Sequence, residues 1–338
     1  MDTNHDILHD FNLSQCNTLR LPSSAQQCIS ITDEMQIEFA VKYAKQHCLS
    51  INVIGGGSNV VLAEKLPGLT LLIRNPGIHY QGSEVTVSAG VVWHELVLDT
   101  IAHNLSGLEN LSLIPGFAGA APIQNIGAYG QELSNVVHSV RAYDSDHLRW
   151  VTLDRPSCRF EYRNSIFRGS SRYIISSVAL SLNSSFHPIV DYPGITDELT
   201  KRKIVSPGAL DVSDAVCSLR RAKLPDPDKY PNVGSFFKNP VISRDQYVRL
   251  REETMDLTGW EQPDGSVKVS AAGIIDRLGL KGERLRGAQV STQHSLVIIN
   301  QGSATYSDIE GLAKKVQDLV FRKFLIHLDI EPVILPFS

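Results

Sequence analysis

An α+β chain of more than one compact unit is predicted by three observations. Helix-spaced and strand-spaced apolar patterns are mixed along the sequence. The stretch from Gly107 to Gly130 carries glycine or proline every few residues yet keeps Leu111, Leu113, Ile114, Phe117, Ile123 and Ile126, so it reads as a buried loop wrapped around a ligand. The third is size: 338 residues at about 150 per domain, 42% of them hydrophobic, suffice for several cores and exclude global disorder.

The elements follow in order. Ile37, Phe39, Ala40, Val41 and Ala44 recur at helical spacing between Asp33 and Cys48, and Ile51 to Ile54 is a β-branched run that stops at Gly55-Gly56-Gly57-Ser58-Asn59. Glu84 to Ser88 alternates as a strand, and Trp93 to Asn104 reads as a helix. Strands are expected at His138 to Tyr143 and Tyr173 to Leu182, then a connecting insertion rich in glycine and proline from Asn183 to Leu210. Beyond it a second α+β unit is expected. It comprises a helix from Asp211 to Arg221, a helix capped by Ser243, a short helix around Ala271 to Leu278, and a strand at Ser295 to Asn300. Ser307 and Glu310 read as a capping box for the last helix, and Leu328 to Leu335 as a closing strand.

Charge and composition narrow the function classes. Thirty-two basic and thirty-six acidic side chains, mixed along the chain, give a formal charge of -4 and no global field for nucleic acid or an anionic membrane. The start of the chain has no signal-peptide pattern and no apolar run reaches about 18 residues, so a cytoplasmic protein is expected. Five scattered cysteines read as free thiols, and no structural metal is expected.

Several familiar motifs fail. The turn at Gly55 has Val60 where a dinucleotide fingerprint needs its third glycine. His94-Glu95 has Leu98 in place of the second histidine of a zinc protease, and neither a nucleophile elbow nor a phosphate loop occurs. What stands is Gly234-Ser235-Phe236-Phe237-Lys238-Asn239-Pro240, which sets one hydroxyl among aromatic, cationic and amide groups. Read alone it is more readily a strand end packed by Phe236 and Phe237, with Ser235 merely tolerated. Arg220, Arg221 and Lys223 lie just upstream and could surround a phosphate, or simply cap a helix C-terminus. Arg163, in an aromatic-rich segment, and Glu331, in an apolar one, each require an ion pair, solvent or a site.

Four stretches together resemble the UDP-N-acetylenolpyruvoylglucosamine reductases: Gly55 to Val60, Ile114 to Gly130, Tyr162 to Phe167, and Lys223 to Pro227 with Gly234 to Pro240. The resemblance covers nearly the whole chain in order. It implies a two-subdomain FAD-binding fold of the vanillyl-alcohol-oxidase (PCMH) type plus a third α+β substrate-binding domain. The expected division is 1–68 and 69–210 for the FAD subdomains, with the FAD region at about 21–184, then 211–325 for substrate and 326–338 for a C-terminal strand with Glu331. It also implies NADPH and FAD as cofactors, UDP-N-acetylglucosamine enolpyruvate as the small-molecule substrate, UDP-N-acetylmuramate as product, and a monomer without nucleic-acid or membrane partners.

By the same resemblance Arg163 and Glu331 match the pair that stabilises the enolate-like charge, and Ser235 matches the proton donor. Gly55, Gly56, Gly57, Ser58, Asn59, Pro115, Gly116, Gly119, Gln124, Asn125, Gly127, Ala128 and Tyr129 would cradle FAD. Lys223 and Asn239 match substrate contacts, His294 aligns with a nucleotide contact, and Tyr192 falls in the insertion where the longer class carries a tyrosine that closes over the diphosphate. Pro332 and Val333 depart from the valine and basic residue that commonly follow the glutamate. Two other readings stay open: an FAD-dependent sugar or alcohol oxidase of the same fold, which would not need Ser235, and a nucleotide-sugar binding protein without catalysis.

Overall fold

The computed structural model describes residues 6–192, 194–253 and 257–337. Its first layer holds β1 (Leu8–Asn12), β2 (Ser24–Ile31), α1 (Glu34–Gln46), β3 (Ile51–Ile54), β4 (Val60–Leu62) and β5 (Lys65–Ile73), with sheet order β1-β2-β5-β3. Both β2 and β3 run parallel to β5, the crossover being α1. A capping box starts that helix: the Asp33 side chain accepts from Met35 N–H at 2.7 Å, and Gln36 Oε1 accepts from Asp33 N–H at 3.1 Å. Ile37, Ala40, Val41 and Ala44 are its buried face, as the spacing predicts.

The second layer contains β6 (Ile78–Gln81), β7 (Glu84–Ser88), α2 (Trp93–Ala102), the small hairpin β8 (Gly127–Ala128) and β9 (Gln131–Glu132), then β10 (Val137–Asp144), β11 (Arg149–Asp154) and β12 (Tyr173–Ser181). Its antiparallel sheet has the order β11-β10-β12-β7-β6. Ile29, Ile31, Leu69 and Leu71 of the first sheet share one core with Val85, Val87, Val140, Ala142 and Val178 of the second. The strand β5 continues through residue 68. The glycine-rich stretch is a largely buried loop with two 3-10 turns, Glu109–Leu111 and Ala118–Gln124, which pack on β12, β7 and α2 of this layer and on the helix at residues 209–223.

The insertion after β12 is not featureless: α3 (Ile195–Lys201) packs on α4 (Ala209–Lys223) through Ile195, Leu199, Val212, Ala215 and Val216. The helix α4 begins at Ala209, two residues before the expected opener, because Gly208 N–H donates to the Asp211 carboxylate at 2.8 Å. The third unit follows with β13 (Asn232–Ser235), β14 (Val241–Ile242), α5 (Arg244–Glu253), β15 (Gly259–Glu261), β16 (Val267–Val269), α6 (Ala271–Arg277), β17 (Arg284–Leu285), β18 (Ala288–Val290), β19 (Val297–Asn300), α7 (Tyr306–Phe324) and β20 (Val333–Leu335). Its main sheet runs β13-β19-β18-β17, against which α7 buries Ile309, Leu312, Ala313, Val316 and Val320.

Two expectations at this end are corrected. The box that caps α7 is Thr305 with Asp308, since Thr305 Oγ1 accepts from Asp308 N–H at 3.3 Å and Asp308 accepts from Thr305 N–H at 3.0 Å; Ser307 already lies inside the first turn. The closing strand is only Val333–Leu335, parallel to β4, because Pro332 has no N–H to continue a ladder from Ile330, which bridges Phe237 instead. The five cysteines are all free.

Candidate active site

A cleft with a cavity of about 220 Å³ opens where the three units meet, lined by Gly55 to Val60, Pro115, Gln124, Gly127, Arg163, Arg220, Ser235 and Glu331 among others. A second cavity of about 90 Å³ shares Val53, Gly55, Val60, Ala120, Ile123 and Val333 with it and extends to Phe167, Tyr173 and Phe337. The two form one trough, polar at the Ser235 end and aromatic at the other.

The trough floor is backbone. A Cβ on Gly56 would lie 2.9 Å from the Gly116 Cα, and one on Gly57, whose φ is +66°, would lie 2.1 Å from the Cys16 carbonyl oxygen. Arg74 Nη1 donates to the Gly55 carbonyl at 2.9 Å, and Thr18 N–H to the Gly57 carbonyl at 3.1 Å, so the turn is held from behind. Asn59 Nδ2 donates to Gln124 Oε1 at 2.6 Å and Ser58 Oγ to the Pro115 carbonyl at 2.9 Å, which joins the turn to the long loop. The backbone N–H groups of Gly55 to Asn59 have no acceptor among the described residues. Five successive donors on a bare floor suit an anionic group such as a diphosphate, and the flat trough above them suits a planar ring system.

Ser235 reaches the cleft through a bulge. Gly234 has a φ of +74°, its N–H donates to Asn232 Oδ1 at 2.8 Å, and the β13–β19 register breaks between Asn232 and Ser235. Phe236 and Phe237 do not line the cavity; both are buried in the third unit's core. In the same lining, Arg163 sits at a φ of +52° in a tight turn where Glu161 and Asn164 exchange backbone hydrogen bonds of 3.0 and 3.2 Å. Its Nε lies 3.1 Å from Glu331 Oε1 and its Nη2 donates to the Gly127 carbonyl at 2.8 Å. Burial pushes the Glu331 carboxyl above the usual carboxylate range, while Arg163, Arg168 and Lys238 pull it back.

Of the three cations expected about a phosphate, Arg220 is the one that lines the cleft. Burial pushes its guanidinium below the ordinary arginine range. Its Nε donates to the Leu113 carbonyl at 3.2 Å. One turn earlier Cys217 Sγ lies 3.9 Å from His94 Nε2, and a turn before that Ser213 and Ser112 share a hydrogen bond of 2.7 Å. The signal was the helical spacing of Ser213, Cys217 and Arg220, a polar seam beside the apolar face of α4. Trp93, Phe117 and Val53 also line the cleft; Phe117 belongs to the loop expected to wrap a ligand, while Trp93 and Val53 read only as parts of a helix and a strand.

The other sequence-derived candidates sit around the cleft. Gly116 meets Ser58 across the turn, and Gly119, where a Cβ would come within 2.4 Å of Ala89, lines the second cavity. Ala128 and Tyr129 lie just outside, and Tyr129 packs edge-on against Tyr192 at 5.1 Å between centroids. Asn125 is turned into the protein: its Nδ2 donates to Glu132 at 3.0 Å and its Oδ1 accepts from Ser134 N–H at 2.9 Å. Asn239 Oδ1 accepts from Ala271 N–H at 3.0 Å, and its amide groups reach the Tyr162 hydroxyl. Lys223 is exposed at the end of α4 beside His294, which burial and the cations of Lys281 and Lys223 hold below its ordinary value.

Comparison with known proteins agrees with this geometry. Residues 25–148 match the FAD binding domain family, and residues 226–335 match the C-terminal domain family of UDP-N-acetylenolpyruvoylglucosamine reductase. The chain is 40% identical to the reductase of that name from Neisseria meningitidis serogroup B, covering 98% of each chain. It is 41% identical to the one from Cupriavidus pinatubonensis, covering 97% of this chain and 99% of the relative. The solved structure of the Thermus caldophilus UDP-N-acetylenolpyruvylglucosamine reductase superposes with a TM-score of 0.70 at 22% identity, covering 98% of this chain and 99% of that one.

Proposed function

The chain belongs to the UDP-N-acetylenolpyruvoylglucosamine reductase family, and on that premise we propose that its cleft reduces UDP-N-acetylglucosamine enolpyruvate to UDP-N-acetylmuramate with NADPH, a step of peptidoglycan precursor synthesis. The single observation that carries this reading is the meeting of Ser235, Arg163 and Glu331 in one cavity walled by the glycine turn. FAD, when bound, supplies the hydride chemistry that no side chain can; the free N–H groups of Gly55 to Asn59 and the backbone floor at Gly56 and Gly116 would hold it.

The protein's own part is electrostatic and protonic. Reduction at C3 of the enol ether drives negative charge towards C2 and the adjoining carboxylate. Arg163, pinned by Glu331 and by the Gly127 carbonyl, offers its remaining N–H donors to that charge without reorganising. Ser235 then delivers its hydroxyl proton to C2 and recovers one from solvent. Arg220 adds a second, half-buried cation to the lining of the same cleft. Tyr192 over Tyr129, with Lys223 and His294 beyond α4, would carry the nucleotide diphosphate, and Asn239 orients Tyr162 beside Arg163.

The expected boundaries at residues 68 and 210 fall inside β5 (Lys65–Ile73) and α4 (Ala209–Lys223), so the units divide after β5 and before α4 instead, and a cytoplasmic monomer is the proposed setting; no helix among the described residues is long and apolar enough to cross a membrane. The test is steady-state consumption of NADPH with and without the enolpyruvyl substrate. Consumption that depends on the substrate supports the reading. Consumption coupled instead to oxygen uptake makes the protein an oxidase, and no consumption with bound nucleotide sugar leaves a binding protein.

A further inference from the structure

We propose that Arg168 is a positioning residue for Glu331, fixing the backbone from which that carboxylate reaches the cleft. This rests on the role given to Glu331 above. Arg168 Nη2 donates to the Glu331 carbonyl at 2.8 Å and to the Ile330 carbonyl at 3.3 Å. Glu331 N–H donates to the Phe236 carbonyl at 3.0 Å, and Lys238 N–H to the Asp329 carbonyl at 2.9 Å, so strand and guanidinium clamp the same few residues from two sides. Without the guanidinium, the segment between Ile330 and Pro332 keeps only the strand side of that clamp.

The loop that bears Arg168 also bears Arg163, so one loop holds Glu331 at both ends, carboxylate and main chain. That loop is itself fixed to the cleft floor: Ser165 Oγ donates to the Ile123 carbonyl at 2.8 Å and accepts from Phe167 N–H at 3.2 Å. Arg168 Nη1 is buried with no hydrogen-bond partner among the described residues, so the guanidinium is set by its surroundings rather than by satisfying all its own donors. The groups facing Glu331 are Arg163, Arg168, Lys238 and Tyr162, and Asp329 faces Arg168 and Lys238 in turn. Removing the Arg168 cation leaves burial less opposed, so Glu331 takes up a proton at higher pH.

The experiment compares Arg168→Met, Arg168→Lys and Glu331→Gln as FAD-loaded proteins. Flavin bleaching by NADPH and flavin recolouring by the enolpyruvyl substrate are timed separately across pH. In Arg168→Met, FAD content and bleaching stay near wild type and recolouring slows about tenfold. The pH limb that Glu331→Gln abolishes moves to higher pH. Arg168→Lys keeps that limb in place but recovers only part of the rate, because one ammonium does not reproduce the guanidinium fork. Wild-type recolouring and an unmoved limb in Arg168→Met overturn the proposal, as does an equal loss of both half-reactions together with FAD. Should Arg168→Met not fold, Arg168→Lys decides: a slower recolouring with FAD retained supports the assignment, an unchanged one sinks it. Wild-type recolouring in Glu331→Gln would instead remove the role of Glu331 itself, whatever Arg168 does.

Discussion

The Thr18 hydroxyl donates to the Asn232 carbonyl at 2.6 Å while the Thr18 N–H donates to Gly57 at 3.1 Å. One threonine thus ties the glycine turn to the strand that presents Ser235. Replacing it with valine keeps the shape and leaves a part-buried carbonyl unpaired. Thr18→Val should lose about 1 kcal/mol of stability in urea unfolding. Its catalytic loss should exceed its loss of FAD, because the spacing between the two walls is what changes.

Ser235→Ala removes the only proton proposed for C2. Substrate-dependent NADPH consumption should fall by about 10²–10⁴-fold with FAD content unchanged. A rate like that of the wild type would take Ser235 out of the chemistry.

Gly57→Ala asks for a methyl group 2.1 Å from the Cys16 carbonyl oxygen at a φ of +66°. The strain should cost at least about 1 kcal/mol and distort the row of N–H donors. The variant should purify with little bound FAD, read from its visible absorbance, and with a weakened affinity on reconstitution.

Tyr192 is 41% exposed and touches Tyr129 edge-on. An aromatic pair of this kind contributes about 0.5–1.5 kcal/mol, so Tyr192→Ala should raise KM for the enolpyruvyl substrate about 3–10-fold with kcat changed by less than about twofold. Tyr192→Phe keeps the ring contact and separates its part from that of the hydroxyl.

Burial, then the cations Arg221 and Arg220, hold His94 below its ordinary value of 6.5. It is neutral in the fold and accepts the Leu113 N–H at 3.1 Å. Below that ordinary value the unfolded chain binds the proton more readily than the folded one, so stability falls as pH drops from about 6.5 towards the folded-state pKa. His294 acts in the same direction. His94→Gln should narrow the difference between denaturation midpoints at about pH 7.5 and about pH 5.5; an unchanged difference would show that His94 contributes nothing.

Much of this site was legible because its chemistry leaves local marks. Glycine where backbone must approach backbone, at Gly56 and Gly57, and charge in apolar company, at Arg163 and Glu331, are visible without a fold. Arg168 and Thr18 were not, because each acts on main-chain carbonyls of a distant segment, Glu331 and Asn232, and such bonds leave no residue pattern behind. Nor was the part played by Asn125, which the resemblance placed in the FAD cradle and whose buried amide serves the loop instead. In the fold, the amphipathic faces of α1 and α7 were plain, whereas the short strands β14 to β18 span too few residues for an alternation to stand out.

Because the trough takes its walls from Gly55, Pro115, Arg163, Ser235 and Glu331, pieces scattered along nearly the whole polypeptide, its chromophore doubles as a gauge of tertiary integrity. On a slow temperature ramp, release of free fluorescent dinucleotide should coincide with the cooperative collapse of ellipticity.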